Sequence, residues 1–343
     1  MGSTSSVLPK KLQTAITERM QQSLLSGDTP FDKTQLRDAA QFLGEVAAQR
    51  VLGKSAMAIE SVSDDKRLTR IAVVNDDMPF LVDSVAASIA ALGLSIDRLV
   101  HPVIPVERDE KGVLTGIPKG DPEDGYWESM IYIEAARVDA KTRRLLQDRL
   151  KETLADVRAA VVDWTKLQEA MASDAERIRQ DDSEGADLLD WLNSGMLTQL
   201  GHAKRHRDGT QSDELGICRK STPQLLAEPS FDRAFDWFDK GADTRRPLII
   251  KANHLSNVHR RVPLDLFIIP VMEGKKTVAL SIHAGVWTSA ALAAPPRSVP
   301  RLRRQLDELR DKHGFDEAGH AGKALVHALT TLPHDLLIGF SEK

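Results

Sequence analysis

The stretch Arg70-Ile71-Ala72-Val73-Val74-Asn75-Asp76-Asp77-Met78-Pro79-Phe80-Leu81-Val82-Asp83-Ser84-Val85 decides how the first half of this chain is read. Its opening run, Arg70 to Val74, is β-branched and too brief for a buried helix, so it predicts a strand. A polar loop ending at Pro79 closes that strand, after which Leu81, Val85, Ile89 and Leu92 recur at helical spacing up to Gly93. From Leu94 to Val106 a long, Pro-interrupted strand pattern returns. Residues 109–125 then form a Gly-, Asp- and Pro-rich turn, and Ser129 to Glu134 reads as another strand. Asp139 is placed to cap a helix through Leu146, Leu150 and Leu154, with helical patterning resuming through Val161 to Met171. The order is β-α-β-β-α.

Outward from this unit, Leu12, Ile16, Met20 and Leu24 mark an amphipathic helix over Lys10 to Ser26, after a short polar lead. Leu36, Ala40, Leu43, Ala47 and Val51 mark a second over Lys33 to Leu52, and the two are expected to pair as a helical hairpin. Acidic, Gly-containing sequence over 173–186 reads as a linker. Beyond it, Leu215 to Cys218, Pro247 to Ile250, Leu264 to Met272 and Thr277 to His283 predict strands, and Val299 to Arg310 and Ala324 to Leu329 predict helices. The expected division is a helical segment over 1–64, an α+β domain over 65–172, the linker, and a second α+β domain over 187–343.

With 41% hydrophobic and 28% charged residues and a net charge of -4, the chain has the composition of a globular protein without the basic surface that nucleic acid requires. No apolar run approaches the roughly 20 residues that span a bilayer, so no membrane partner is expected. The single cysteine, Cys218, fits a reducing compartment, with the cytoplasm as the default. It sits in an apolar segment and reads as a buried structural thiol.

Few residues suggest chemistry. No G-x-G-x-x-G or P-loop occurs, so no cofactor is expected in this chain. His202 and His206 stand four apart, as two ligands on one helix face would. Lys204, Arg205 and Arg207 beside them repel a cation, and no metal site is expected. The loop Asn75, Asp76, Asp77, Met78, Phe80 joins a strand to a helix whose free amides suit a carboxylate ligand. The plainer alternative is that Asp77 caps the helix and Pro79 fills its first turn. Lys251, Ser256, His259, Arg260 and Arg261 form a basic cluster after a strand, better suited to an interface or an anion than to catalysis. No catalytic set is assigned.

The 71–85 block resembles the first recognisable block of the large bacterial NAD-specific glutamate dehydrogenases. Leu92-Gly93-Leu94, His101-Pro102-Val103, Glu128 to Glu134 and Asp156 to Val161 with Asp163-Trp164 follow in that family's order. Leu215-Gly216-Ile217, Lys251 to Val262, Thr288-Ser289-Ala290, Pro300 to Arg304, Gly314-Phe315 and His320 to Leu325 extend the resemblance over roughly residues 35–338. It departs at Phe80, where many ACT ligand sites carry Gly. It departs again at Gln199 to His202 and Ala290 to Leu292, where relatives often carry aromatics.

The resemblance implies an N-terminal region of ACT-like domains, with ferredoxin-like β-α-β-β-α-β order in the first and a second ACT-like domain after it. It also implies a cytoplasmic homo-oligomer that uses NAD in a downstream catalytic domain to deaminate glutamate to 2-oxoglutarate, with this region regulatory and open to an amino-acid effector. A second reading is a free-standing amino-acid-binding ACT-type protein.

Overall fold

The structure, a computed structural model, describes residues 8–24, 30–62, 67–119, 125–219, 225–241, 246–316, 319–332 and 334–338. The chain divides into two compact units, Met1–Leu154 and Ala155–Lys343.

In the first unit α1 (Lys10–Gln22) is followed by α2 (Lys33–Ala47), which opens on a capping box. Asp32 accepts hydrogen bonds from the amides of Thr34 and Gln35, and the Gln35 side chain accepts from the Asp32 amide. There follow β1 (Ala56–Val62), β2 (Leu68–Asp76), α3 (Leu81–Ala90), β3 (Ile96–Val100), β4 (Val103–Pro105), β5 (Glu107–Arg108), β6 (Leu114–Gly116), β7 (Trp127–Ala136) and α4 (Ala140–Val162). Asp139 caps α4 as expected, accepting from the Thr142 amide at 2.7 Å. The long strand expected over Leu94 to Val106 is broken at His101-Pro102 into β3 and β4, because proline cannot donate to a ladder.

The main sheet has the antiparallel order β1-β2-β7-β3, with β4 also on β7. A β-α-β-β-α-β chain would close this sheet with a strand following α4. Here the place beside β2 is taken by β1, which precedes it, and the chain runs from α4 into further helix. The order is therefore β-β-α-β-β-α. The sheet is buried on both faces, which is why β2 reads as a continuous apolar run. Ala72, Val74, Met130 and Tyr132 share one core with Ile16 and Met20 of α1 and with Ala40, Phe42 and Leu43 of α2. On the opposite face Ile71 and Val73 pair with Ile133 and Ile131, and all four are fully buried. Each such side chain contributes roughly 1.5–3 kcal/mol.

The second unit continues with α5 (Trp164–Ile178), α6 (Ser183–Trp191), β8 (Leu197–His206), β9 (Gln211–Gly216), α7 (Glu228–Asp239), β10 (Leu248–Leu255), β11 (Pro263–Glu273) and β12 (Lys276–Trp287). Four helices end the described chain: α8 (Ser289–Ala293), α9 (Leu302–His313), α10 (His320–Thr331) and α11 (His334–Leu337). The stretch 173–186, expected as a linker, is helical at both ends and carries the buried Asp174, Ala175 and Ile178.

Its sheet has the antiparallel order β10-β11-β12-β8-β9, in which a three-strand meander adds to an earlier hairpin. One helix, α7, separates the hairpin from the meander, so the order is β-β-α-β-β-β and not the ACT order expected for this half. Met171, Leu188, Leu189, Phe267, Ile269, Trp287, Leu302 and Ile338 belong to one core, which ties α9 and the turn after α11 to α5, α6 and the sheet.

Candidate functional site

In the first unit the 75–80 loop lies at the end of β2. Asn75 is buried and its amide nitrogen donates to the Asp76 carbonyl at 3.1 Å. Asp76 accepts from Arg50 at 2.7 Å, and Asp77 accepts from the Ser129 hydroxyl at 2.6 Å. Met78 is half-buried. Helix α3 begins only at Leu81, so Pro79 lies outside it and Asp77 does not cap it. Its N-cap is Phe80, at φ 70° and without a side-chain cap. A left-handed backbone costs a non-glycine residue roughly 1–2 kcal/mol.

Behind this loop lies an ion network that sequence reading missed. Arg50 and Glu128 have no exposed side-chain surface. Arg50 donates to Glu128 from two nitrogens, at 2.9 and 2.7 Å, and also to the Lys54 carbonyl and the Tyr126 hydroxyl. Arg108 makes a two-pronged contact with Glu128 at 2.6 and 2.7 Å and donates to the Gly112 carbonyl at 2.8 Å. Two guanidiniums face two carboxylates, Asp76 and Glu128, so the charges balance. The arrangement joins the segment after α2, the 109–112 turn and the end of the sheet.

The basic cluster of the second unit is also knit into the fold. Lys251 on β10 forms ion pairs with Asp265 at 2.7 Å and with Asp335 on α11. The Ser256 hydroxyl donates to the Val258 carbonyl at 2.7 Å and accepts from the Val258 amide at 3.0 Å, closing a local turn. His259 sits at φ 63°, and Arg260 donates to the Trp287 carbonyl. These residues are therefore spread along one strand and its loop, with Lys251, Ser256 and Arg260 turned to internal partners.

A separate grouping of titratable side chains joins residues that the sequence did not connect. His202 stands on β8 and not on a helix, and His206 instead meets the Ser212 hydroxyl at 2.9 Å. The β8–β12 register sets His202 directly opposite His283, and the ring centroids lie 4.7 Å apart. Ser281, two residues earlier on β12, shares their face.

Asp174 reaches this face from α5. Its Oδ2 accepts from the Ser281 hydroxyl and lies 2.8 Å from His283 Nε2. Its Oδ1 accepts from Arg177 at 2.6 Å. His202 Nε2 is 3.0 Å from Ser281 Oγ, and His202 Nδ1 is 3.1 Å from the Asp213 carbonyl oxygen. All four side chains are buried. Burial, joined by the facing His283, lowers the His202 pKa to about 4, so its imidazole is neutral at pH 7. Burial alone would raise Asp174, but hydrogen bonding and charge from His283, with Arg177 and Ser281, hold it well below the usual carboxylate range. A cavity of about 270 Å³ opens onto Asp174, His202 and Ser281, with Lys166, Lys204 and Asp213 also on its wall.

Residues 35–150 match the family model for the ACT1 domain of glutamate dehydrogenase, and residues 299–343 match the model for its helical motif 1. The chain is 27% identical over 289 residues to the NAD-specific glutamate dehydrogenase of Halomonas elongata. It is 31% identical over 292 residues to that of Pseudomonas aeruginosa. Each alignment covers 78% of this chain but 18% of the relative, so the chain spans under a fifth of the length of these curated relatives. The two matched segments include the β2–α3 block at one end and α9 to α11 at the other, so two separate parts of the fold carry the same assignment: the chain belongs to the family of the NAD-specific glutamate dehydrogenases.

Proposed function

We propose that this chain is the regulatory and assembly region of an NAD-dependent glutamate dehydrogenase. In that reading the conversion of glutamate and NAD to 2-oxoglutarate, ammonia and NADH takes place in a catalytic domain outside these residues, in the cytoplasm. This region pairs subunits and passes an effector's binding to that domain.

The supporting observation is the outer edge of β1 within the ACT1-matching unit. Seven residues long, Ala56–Val62 holds an unbroken register with β2 and contains neither Lys nor Pro, the usual protections of an exposed edge. The opposite edge strand, β3, is shorter and its register shifts between Ile96 and Arg98. The exposed Val51 and Leu52 lie just before β1 in the chain. A second copy adding a strand at β1 would satisfy this edge through main-chain hydrogen bonds.

The effector reading places an amino acid at the 75–80 loop. Its carboxylate would meet the first amides of α3, which no side chain caps, and its ammonium group the exposed Asp77. Calorimetric titration of the purified chain with glutamate and other amino acids, with light scattering alongside, tests both parts. Saturable binding weakened by Asp77→Ala and a dimer or larger assembly are the expected results. A strictly monomeric chain that binds no amino acid would sink the proposal.

A further inference from the structure

We propose that Asp174, His202 and His283 form a binding site for a divalent first-row transition cation of zinc-like preference. The site is independent of the function proposed above.

One ligand atom from each residue lies within 4.8 Å of the others, and all three side chains are buried. Two imidazole nitrogens with one carboxylate oxygen suit zinc and its neighbours, whereas magnesium and calcium prefer oxygen alone. The ligands stand on ordered elements: the histidines are register partners on adjacent central strands, and the aspartate belongs to a helix packed on that sheet.

The second layer of contacts fits as well. Metal-bound histidines usually donate their other ring N–H to a carbonyl or carboxylate, which fixes the tautomer. His202 Nδ1 has such a partner in the Asp213 carbonyl at 3.1 Å, leaving the Nε2 lone pair directed inward. Arg177 holds Asp174 through Oδ1 and is itself anchored on the Pro270 carbonyl at 2.6 Å, so Oδ2 is the oxygen presented to the cluster.

Proton counting carries the proposal furthest. With its proton on Nδ1, His202 can only accept at Nε2, and Ser281 stands 3.0 Å away. Ser281 has one hydroxyl proton, yet both His202 Nε2 and Asp174 Oδ2 compete for it. When the hydroxyl turns to His202, Asp174 Oδ2 keeps only the His283 N–H at 2.8 Å, and when it turns to Asp174 the His202 lone pair has no donor. A cation between them satisfies both lone pairs at once.

His283 joins as third ligand through Nε2, the proton there being released or passed to Nδ1 as the cation binds. Its Nδ1 is buried and finds no hydrogen-bond partner among the described residues. The cavity beside His202 and Asp174 has room for the water that completes a tetrahedron. Arg177 and the lysines of the cavity wall oppose a cation, so the expected affinity is micromolar and weaker than that of a structural zinc site.

The test uses the full chain stripped with a chelator and titrated with Zn2+ by calorimetry and with Co2+ by visible absorption. One saturable site of micromolar affinity is expected, weakened at least tenfold by His202→Ala or His283→Ala and unchanged by His206→Ala. Circular dichroism establishes whether each variant is folded. Should the first two unfold, X-ray absorption of the zinc-loaded natural chain decides: two imidazole nitrogens at about 2.0 Å support the site. Fewer than two, binding insensitive to both substitutions, or no binding below millimolar metal would overturn it and leave the cluster an internal hydrogen-bond network.

Discussion

Arg50 and Glu128 form a fully buried ion pair, the guanidinium donating to one carboxylate oxygen at 2.9 and 2.7 Å. A buried pair adds little net stability when intact, because desolvation offsets attraction. Removing one partner strands the other charge at a cost of about 3–5 kcal/mol. Glu128→Gln would leave Arg108 without a carboxylate and Arg50 with Asp76 alone. Urea unfolding of Glu128→Gln should show a loss in that range. A loss below about 1 kcal/mol would mean that water reaches the pair.

The same network makes the 109–112 turn dependent on the sheet, because Arg108 donates to both Glu128 and the Gly112 carbonyl. Arg108→Met keeps much of the side chain's bulk and removes both contacts. Hydrogen exchange at the Gly112 and Leu114 amides, which bond to the carbonyls of Asp109 and Ala48, should quicken in this variant before exchange in β2 changes. Equal acceleration in turn and sheet would show that the network supports the whole unit and not the turn in particular.

Gly216 ends β9 at φ 59°, and a Cβ there would lie 2.1 Å from the Leu200 carbonyl oxygen. Its amide donates to Asp163 at 2.8 Å, and Asp163 is also bound by Arg219. Gly216→Ala therefore combines left-handed strain with a clash against backbone that cannot rotate away. A fall of at least about 1–3 kcal/mol is expected in denaturant unfolding. An unchanged midpoint would show that the β8–β9 hairpin can shift to make room.

Much of the first unit was legible because its signals are local. The Ile71 to Val74 run, the helical spacing from Leu81 and the cap at Asp139 each lie within a few residues of what they determine. By contrast β1, with the sequence Ala-Met-Ala-Ile-Glu-Ser-Val, is half-buried at every position and so lacks the alternation that marks a strand. β8 was hidden differently. Thr198, Gln199, His202 and Arg205 look like surface residues, yet all are buried. Several have partners from other elements: Asn193 for Gln199, Ser281 for His202 and Glu228 for Arg205. The same holds for the candidate site. Spacing drew His202 toward His206, whereas strand register pairs it with His283, and register is a property of the folded sheet.

Cys218 is buried, and desolvation pushes its thiol pKa up to about 12. Thiolate is the reactive form, so the native chain should resist iodoacetamide at pH 8 while the urea-unfolded chain is labelled readily. Labelling at similar rates in the two states would show that the segment around Cys218 opens without global unfolding.

Asp265 gives a pH dependence of unusual sign. Burial raises its pKa to about 6 despite the opposing pull of Lys251, while Asp335 pushes in the same direction as burial. The folded state therefore holds this proton more tightly than the unfolded chain, whose carboxyl titrates near 3.8. Stability from this group is complete below the unfolded pKa and is lost as pH rises through the folded one. Between about pH 4 and pH 6 the natural chain should lose on the order of 2 kcal/mol relative to Asp265→Asn, which has no proton to release. Urea unfolding of both chains at several pH values measures that difference directly. A gap that stays constant, or narrows in the opposite sense, would mean that Lys251 outweighs burial and keeps Asp265 ionised throughout.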